Sequence, residues 1–464
     1  MECYREELVE PVSPMGQYFN CSVLCLNIIA VLEFEVPIDD LPIASFTRDV
    51  FLPINPRFSS VMVSDKHGKK TWKQVEVRLE DHIITPKFPD GMSTDSYEKC
   101  FNDYLSRLAM EQLPQNKPLW EVHQIIYPTS KAAGSLIFKV NHALGDGYSL
   151  MGVILSCFER ADNPSLPLTF PSRKRSKPKF LNRNIFMRLP QLASIFFNSI
   201  SDFGCGLLKS RVVEDDKTPI RSGDEGVEFR SFVISNMAFS MDHIKEIKSK
   251  LGVTVNDVIT GIIFYGLRLY MHDIDYESRA ACSRAIVLLN TRNVAGYQSV
   301  KNMLNKDAKG PWGNKIALLH VSLPKLRDVD ISNPLQFVSK VHNMVQRKRK
   351  SFAVLLSGML LEMQHKLQGH EAAAKNLHST IRKTSLALSN MVGPVEQIAM
   401  ANHPLKGLYF IFTGEPESLA ITMMSYMGNG FVTAGTIVFK LNHAIGDGVS
   451  FFRALKELTI PPFL

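Results

Sequence analysis

Two stretches of this chain carry the same chemistry-bearing phrase. The first is KVNHALGDGYSL, Lys139 to Leu150, and the second is KLNHAIGDGVSF, Lys440 to Phe451. In the first, His142 and Asp146 stand four residues apart, with Gly145 and Gly147 on either side of the acid. A neutral imidazole at the end of a rigid strand is a general base near pH 7 once its tautomer is fixed and a substrate hydroxyl is in hydrogen-bond reach. Asp146 has two readings: it orients the ring, or it pins the loop through a basic partner elsewhere. The glycines are expected to permit backbone angles that other residues resist. A structural His–Asp pair gives the same spacing, so the phrase alone does not define a function.

Other chemistries lack residues. No serine lies in a GxSxG elbow, and there is no HExxH, no Walker loop and no GxGxxG opening a helix after a strand. Neither a metal nor a cofactor is expected. Direct attack by a substrate hydroxyl, helped by a histidine base, remains.

The elements around the phrase must position it. GSLIFKVN (134–141) reads as a strand that ends where the histidine phrase begins. VLCLNIIAVLEF (23–34) is a continuous apolar run, read as a buried strand with a helix as the alternative, and RAIVLLN (284–290) and KIALLHVSL (315–323) are further strand candidates. Helical patterns occupy 96–113, 240–252, 255–271 and 334–349. Mixed strands and helices over 464 residues predict an α/β or α+β fold with more than one core.

Composition shifts after residue 162. DNPSLPLTFPSRKRSKPKF is rich in Pro and Ser and then strongly basic, as an exposed linker would be. Behind it, Leu189, Leu192, Phe196, Ile200, Phe203 and Leu207 recur at helical steps. That stripe either faces a core or lies on a membrane surface with its basic flank on anionic headgroups. The predicted organisation is an N-terminal half over 1–165, a linker over 166–225, a C-terminal half over 226–432 and an atypical terminal segment over 433–464.

The formal charge of +8 and pI of 9.0 suit anionic partners. Without zinc-finger spacing, an RNP-like aromatic string or a base-reading basic helix, no nucleic-acid partner is expected. Seven cysteines, with no CxxC pair, indicate a reducing compartment. The N-terminus lacks the pattern of a secretory signal, and no uncharged apolar run is long enough for a confident spanning helix.

Several blocks, in order, carry a family resemblance: EPVSPMGQYF (10–19), EVPIDD (35–40), NPRFSSVMV (55–63), PLWEVH (118–123), NHALGDG (141–147), VNDV (255–258), SNMVGP (389–394) and PLKGLYFI (404–411). The chain resembles the plant wax ester synthase / diacylglycerol acyltransferase family over roughly residues 8 to 432. The resemblance implies two similar halves of the CoA-dependent-acyltransferase type, each a mixed sheet with helices. It implies acyl transfer from acyl-CoA to a long-chain alcohol or to diacylglycerol, with His142 as the base. Asp146 and Gly147 match the motif's Asp-Gly, and Asn141 replaces its first histidine. The expected site is the endoplasmic reticulum membrane, on its cytosolic face, or the plasma membrane.

The remaining motif residues have two readings each. Trp120 packs in the core or meets substrate. Asn256, beside Asp257, caps a helix or serves the site. Asn390 and Gly393 shape a turn or line an acyl channel. The run Arg347 to Lys350 is a solvated face or a seat for CoA phosphates. DFGWG, typical of soluble HxxxD acyltransferases of specialised metabolism, is absent, and PWGN (311–314) is present instead. A catalytically inactive acyl-CoA- or lipid-binding paralogue is the alternative from another class.

Ala133–Met151 and Ala434–Phe452 align at a constant offset with 11 identities in 19 positions. The chain ends 21 residues after His443, too soon for a second site with its own surrounding domain. The expectation is one site at His142 and a passenger at His443, with the copied strand and helix substituting for the family's closing elements.

Overall fold

The structure is a computed structural model of the chain, and it describes residues 10–66, 70–168, 213–292, 312–351, 353–417, 419–428 and 432–442. The basic run and stripe predicted between 173 and 207 lie outside the described residues, as do His443 and the helix predicted after it.

The strands of the first part are β1 (Glu10–Pro11), β2 (Asn27–Phe34), β3 (Ser60–Ser64), β4 (Lys70–Gln74), β5 (Ile83–Ile84), β6 (Trp120–Ile125), β7 (Gly134–Asn141) and β8 (Glu159–Arg160). Those of the second are β9 (Phe232–Ser240), β10 (Arg284–Asn290), β11 (Ile316–Ser322), β12 (Leu386–Val392), β13 (Ile398–Met400), β14 (His403–Thr413), β15 (Leu419–Gly428) and β16 (Val432–Asn442). The main helices are α1 (Pro14–Tyr18), α2 (Thr94–Met110), α3 (Gly147–Cys157), α4 (Met241–Leu251), α5 (Val255–Ile274), α6 (Pro334–Lys350), α7 (Ala353–Gln368) and α8 (His370–Arg382).

Among the described residues, a seven-stranded sheet runs β5-β6-β7-β2-β14-β13-β8, and a six-stranded sheet runs β11-β10-β12-β15-β16-β9. The predicted strands at 134–141 and 284–290 have those bounds, while the run 23–34 becomes a strand only from Asn27. Its first residues close a turn instead, with Cys21 N–H donating to Leu24 O at 3.2 Å.

β2 is the middle strand of the first sheet, which is why its sequence is apolar on both faces. Ile28, Ala30, Leu32 and Phe34 pack into one core layer, and Ile29 and Val31 meet Phe101, Leu105 and Leu108 of α2 on the other. This alternation is the period of a pleated strand.

The two sheets do not divide where the chain divides. β13 and β14 lie beyond residue 226, yet they complete the first sheet, β14 running antiparallel to β2 from Leu405↔Phe34 to Thr413↔Asn27. The span 226–432 therefore builds parts of both sheets. Physically, β2 has a second edge to satisfy, and β14 fills it with the apolar run LYFIF. The copied stretch is also structural: β16 pairs with β15 on one side and β9 on the other.

Candidate active site

β7 carries the chain straight to the histidine. Its last residue, Asn141, is fully buried and donates from Nδ2 to Asn27 Oδ1 at 3.1 Å. Asn141 Oδ1 accepts from Ala143 N–H at 2.9 Å, which tightens the turn around His142. The His142 N–H itself donates to Leu26 O at 2.8 Å.

The His142 ring is 3% exposed, between Phe19 at 4.7 Å and Phe412 at 5.9 Å. Burial lowers its pKa below the ordinary 6.5, against the weaker pull of Asp146 and Asn314. The imidazole is therefore neutral at pH 7. Asn314 fixes which nitrogen holds the proton. Its Nδ2 donates to His142 O at 2.8 Å, so its Oδ1 faces Nδ1 at 2.8 Å and accepts from it. That leaves Nε2 with the lone pair.

Asp146 does something else. Its carboxylate caps α3, accepting from Ser149 N–H and Ser149 Oγ, each at 3.0 Å. It also accepts from Lys315 N–H at 2.9 Å and, in bidentate fashion, from Arg292 at 2.6 and 3.0 Å. Both side chains of this ion pair are 2% exposed. Of the two sequence readings, the geometry matches the pinned loop. Arg292 also donates to Gly313 O at 2.5 Å, and Trp312 Nε1 donates to Leu144 O at 3.1 Å. The segments at either end of the β10–β11 connection thus grip the histidine loop from the other sheet.

The glycines correct an expectation. Neither Gly145 nor Gly147 has a positive φ, so unusual backbone angles are not what they provide. Space is. A Cβ on Gly147 would stand 2.4 Å from Met391 Sδ, and one on Gly145 would stand 3.0 Å from Ser149 Cβ. Gly313, in the gripping segment, does adopt φ +103°.

Trp120 is fully buried, stacked on His82 at 4.2 Å with its Nε1 donating to Phe58 O at 2.8 Å, as a core residue would be. Asn256 is not the cap of its helix: Thr254 is, in a capping box with Asp257. The physical reason is the hydroxyl of Thr254, which reaches the Asp257 N–H while the Asp257 carboxylate reaches back. Asp257, itself buried, also meets His342 Nδ1 at 2.9 Å. Asn256 Oδ1 instead accepts from Asn390 Nδ2 at 2.6 Å, joining two predicted motifs. Gly393 lies where a Cβ would be 2.4 Å from Ser425 O, a close approach of β12's end to β15.

Arg292 and Asn314 were not among the residues singled out from sequence. The available signal was physical: a buried carboxylate such as Asp146 needs a cation. PWGN also stood out as a motif without an assigned role.

Beside the loop is a partly open apolar pocket, between the first sheet and α3. One helix face, Gly147, Leu150, Met151, Ile154 and Cys157, forms a wall. Phe51, Phe58, Phe138 and Phe410 face it, and Met391 and Met424 from the second sheet join them. Because Gly147 belongs to this wall, the pocket begins at the histidine loop.

A two-sheet fold with a buried histidine on a loop gripped from the other sheet has counterparts among known proteins. The family model described as WS/DGAT C-terminal domain matches residues 312–440, past the predicted boundary at 432 and into β16. Wax ester synthase/diacylglycerol acyltransferase 11 of Arabidopsis thaliana is 30% identical, over 94% of this chain and 92% of that protein. Wax ester synthase/diacylglycerol acyltransferase 4 of the same plant is 28% identical, over 97% and 91%. Among solved structures, the wax ester synthase/diacylglycerol acyltransferase of Marinobacter aquaeolei has a TM-score of 0.59 at 16% identity, covering 98% of this chain and 100% of that one. A starter condensation domain of rhizomide synthetase, in complex with C8-CoA, has a TM-score of 0.53 at 10% identity, covering 94% and 88%. These two show a shared fold. The chain belongs to the wax ester synthase/diacylglycerol acyltransferase family, and it is an acyltransferase.

Proposed function

We propose that this protein moves a fatty acyl group from acyl-CoA to a long-chain alcohol, giving a wax ester, or to diacylglycerol, giving triacylglycerol, with His142 as general base. The observation that carries the reading is the Nδ1–H···Oδ1 bond to Asn314, which leaves the lone pair on Nε2, in a motif whose Gly147 lines an apolar pocket. Nε2 takes the proton of the acceptor hydroxyl as its oxygen attacks the thioester carbonyl. The tetrahedral intermediate collapses, the C–S bond breaks, and His142 returns the proton to the CoA thiolate. The apolar pocket takes an alkyl chain, from which water is excluded. Asp146 and Arg292 act as positioning residues that hold the loop. Substrates of this kind reside in membranes, so the protein works at a membrane surface, with the endoplasmic reticulum as its location.

The test is ester formation from palmitoyl-CoA with hexadecanol and with diacylglycerol, using membranes of a host lacking neutral-lipid synthesis. Product from one or both acceptors is expected, and their ratio gives the preference. Binding of acyl-CoA with no product from either would replace the enzyme by an inactive acyl-CoA-binding paralogue.

A further inference from the structure

Helix α7 presents an apolar stripe to solvent. Met359, Met363 and Leu367, at successive steps of four, are 58%, 51% and 76% exposed. No other helix among the described residues exposes three large apolar side chains at such spacing. The opposite side of α7 is occupied. Leu361 packs with Tyr18, Ala373 and Leu377, and Gln364 Oε1 accepts from Asn376 Nδ2 at 2.8 Å on α8. The helix is therefore docked on one face and uncovered on the other.

Two further observations say what covers it. The first is charge. α6 ends in Arg347, Lys348, Arg349 and Lys350, and Ser351 begins the short link to α7. Arg347 and Arg349 are exposed. On α7 itself Glu362 and Lys366 pair at 3.1 Å and cancel. An exposed apolar stripe reached from a basic run fits the boundary between acyl chains and anionic headgroups. The second is position. The His365 ring of α7 lies 5.5 Å from that of Tyr18, and the ring of the next residue, Phe19, lies tilted against His142 at 4.7 Å. A surface docked on α7 is therefore one residue removed from the packing of the catalytic ring.

We infer that α7 is an interfacial docking helix, inserting Met359, Met363 and Leu367 into a lipid surface whose anionic headgroups are met by the end of α6. The inference rests on the acyltransfer reading for its purpose, delivery of a lipid acceptor, but not for its physics. Methionine and leucine suit a fluid acyl layer because they adapt their shape to it.

The experiment is flotation of the full-length protein with phosphatidylcholine vesicles, with and without phosphatidylserine, beside esterification of a water-dispersed short alcohol. Combining Met359→Ser, Met363→Ser and Leu367→Ser is expected to lower vesicle binding by about tenfold or more. Esterification of the dispersed alcohol should stay unchanged. Arg347→Gln and Arg349→Gln should each weaken binding about fivefold, on phosphatidylserine vesicles only. Leu367→Trp reports insertion directly, and its emission should be quenched by brominated lipid. Wild-type flotation of the triple variant, or no quenching of Leu367→Trp, overturns the inference. So does a triple variant that floats normally but loses self-association, which would make the stripe an interface between copies. Vesicle binding by a wild type that forms no ester would remove the catalytic reading and leave the docking surface standing.

Discussion

The strand that ends in Asn141 and the strand that ends in Asn442 share Gly, Phe, Lys and Asn at equivalent places. Both are interior strands: β7 lies between β6 and β2, β16 between β15 and β9. Their shared lysine meets different partners. Lys139 Nζ donates to two carbonyls near the end of α2, Leu108 O at 2.9 Å and Glu111 O at 2.7 Å. Lys440 pairs with the buried Glu415 and lies over the Phe232 ring at 5.1 Å. Glu417, close by, is pushed well above its ordinary pKa by burial and by Glu415. A strand is a local and portable object, since its pattern fits wherever two neighbours accept it. A site is not. Asn314 and Arg292 are committed to His142 and Asp146, and the ring's neighbours Phe19 and Phe412 come from distant sequence.

Breaking the site partners should have the largest effect. Arg292→Ala leaves Asp146 buried and unpaired, and a loss of about 3–5 kcal/mol in denaturant unfolding is expected, together with activity. Arg292→Lys should not restore it, because an ammonium cannot reproduce the bidentate fork. In the second strand, Lys440→Met strands Glu415, and about 3 kcal/mol is expected. Lys139→Met leaves only neutral carbonyls unmet, so a smaller loss of about 1–3 kcal/mol should distinguish the copies. Equal losses would erase the difference between them.

Asn314→Ala sharpens the contrast from the chemical side. It frees the ring tautomer, and kcat should fall about 100-fold with little change in unfolding. The smallest effects are in pH. Burial lowers the pKa of His142 below 6.5, so the acid limb of kcat/KM should lie below that pH, where the ring gains its proton. Glu417 works in the other direction. Above 4.5 its carboxyl ionises on unfolding but stays protonated in the fold, so stability falls as pH rises toward the raised value. Glu417→Gln should flatten that slope in urea unfolding at a series of pH values.

What was legible follows the same division. The strands at 134–141 and 284–290 and the long helix from Val255 announce themselves because their patterns are local. Helix α7 does not, since its docked face and its exposed stripe are both apolar and no polar face marks it as amphipathic. The placement of β14 in the first sheet was not legible either, because pairing across the chain leaves no spacing to read. His142 could be chosen from its motif. Its two partners could not, since Arg292 and Asn314 are separated from their targets by more than a hundred residues.

The most direct test of a single site compares wild type, His142→Ala and His443→Ala in the palmitoyl-CoA assay. The prediction is ester from wild type and His443→Ala, and a fall of about 100-fold or more in His142→Ala. Ester retained by His142→Ala and lost in His443→Ala would contradict the account.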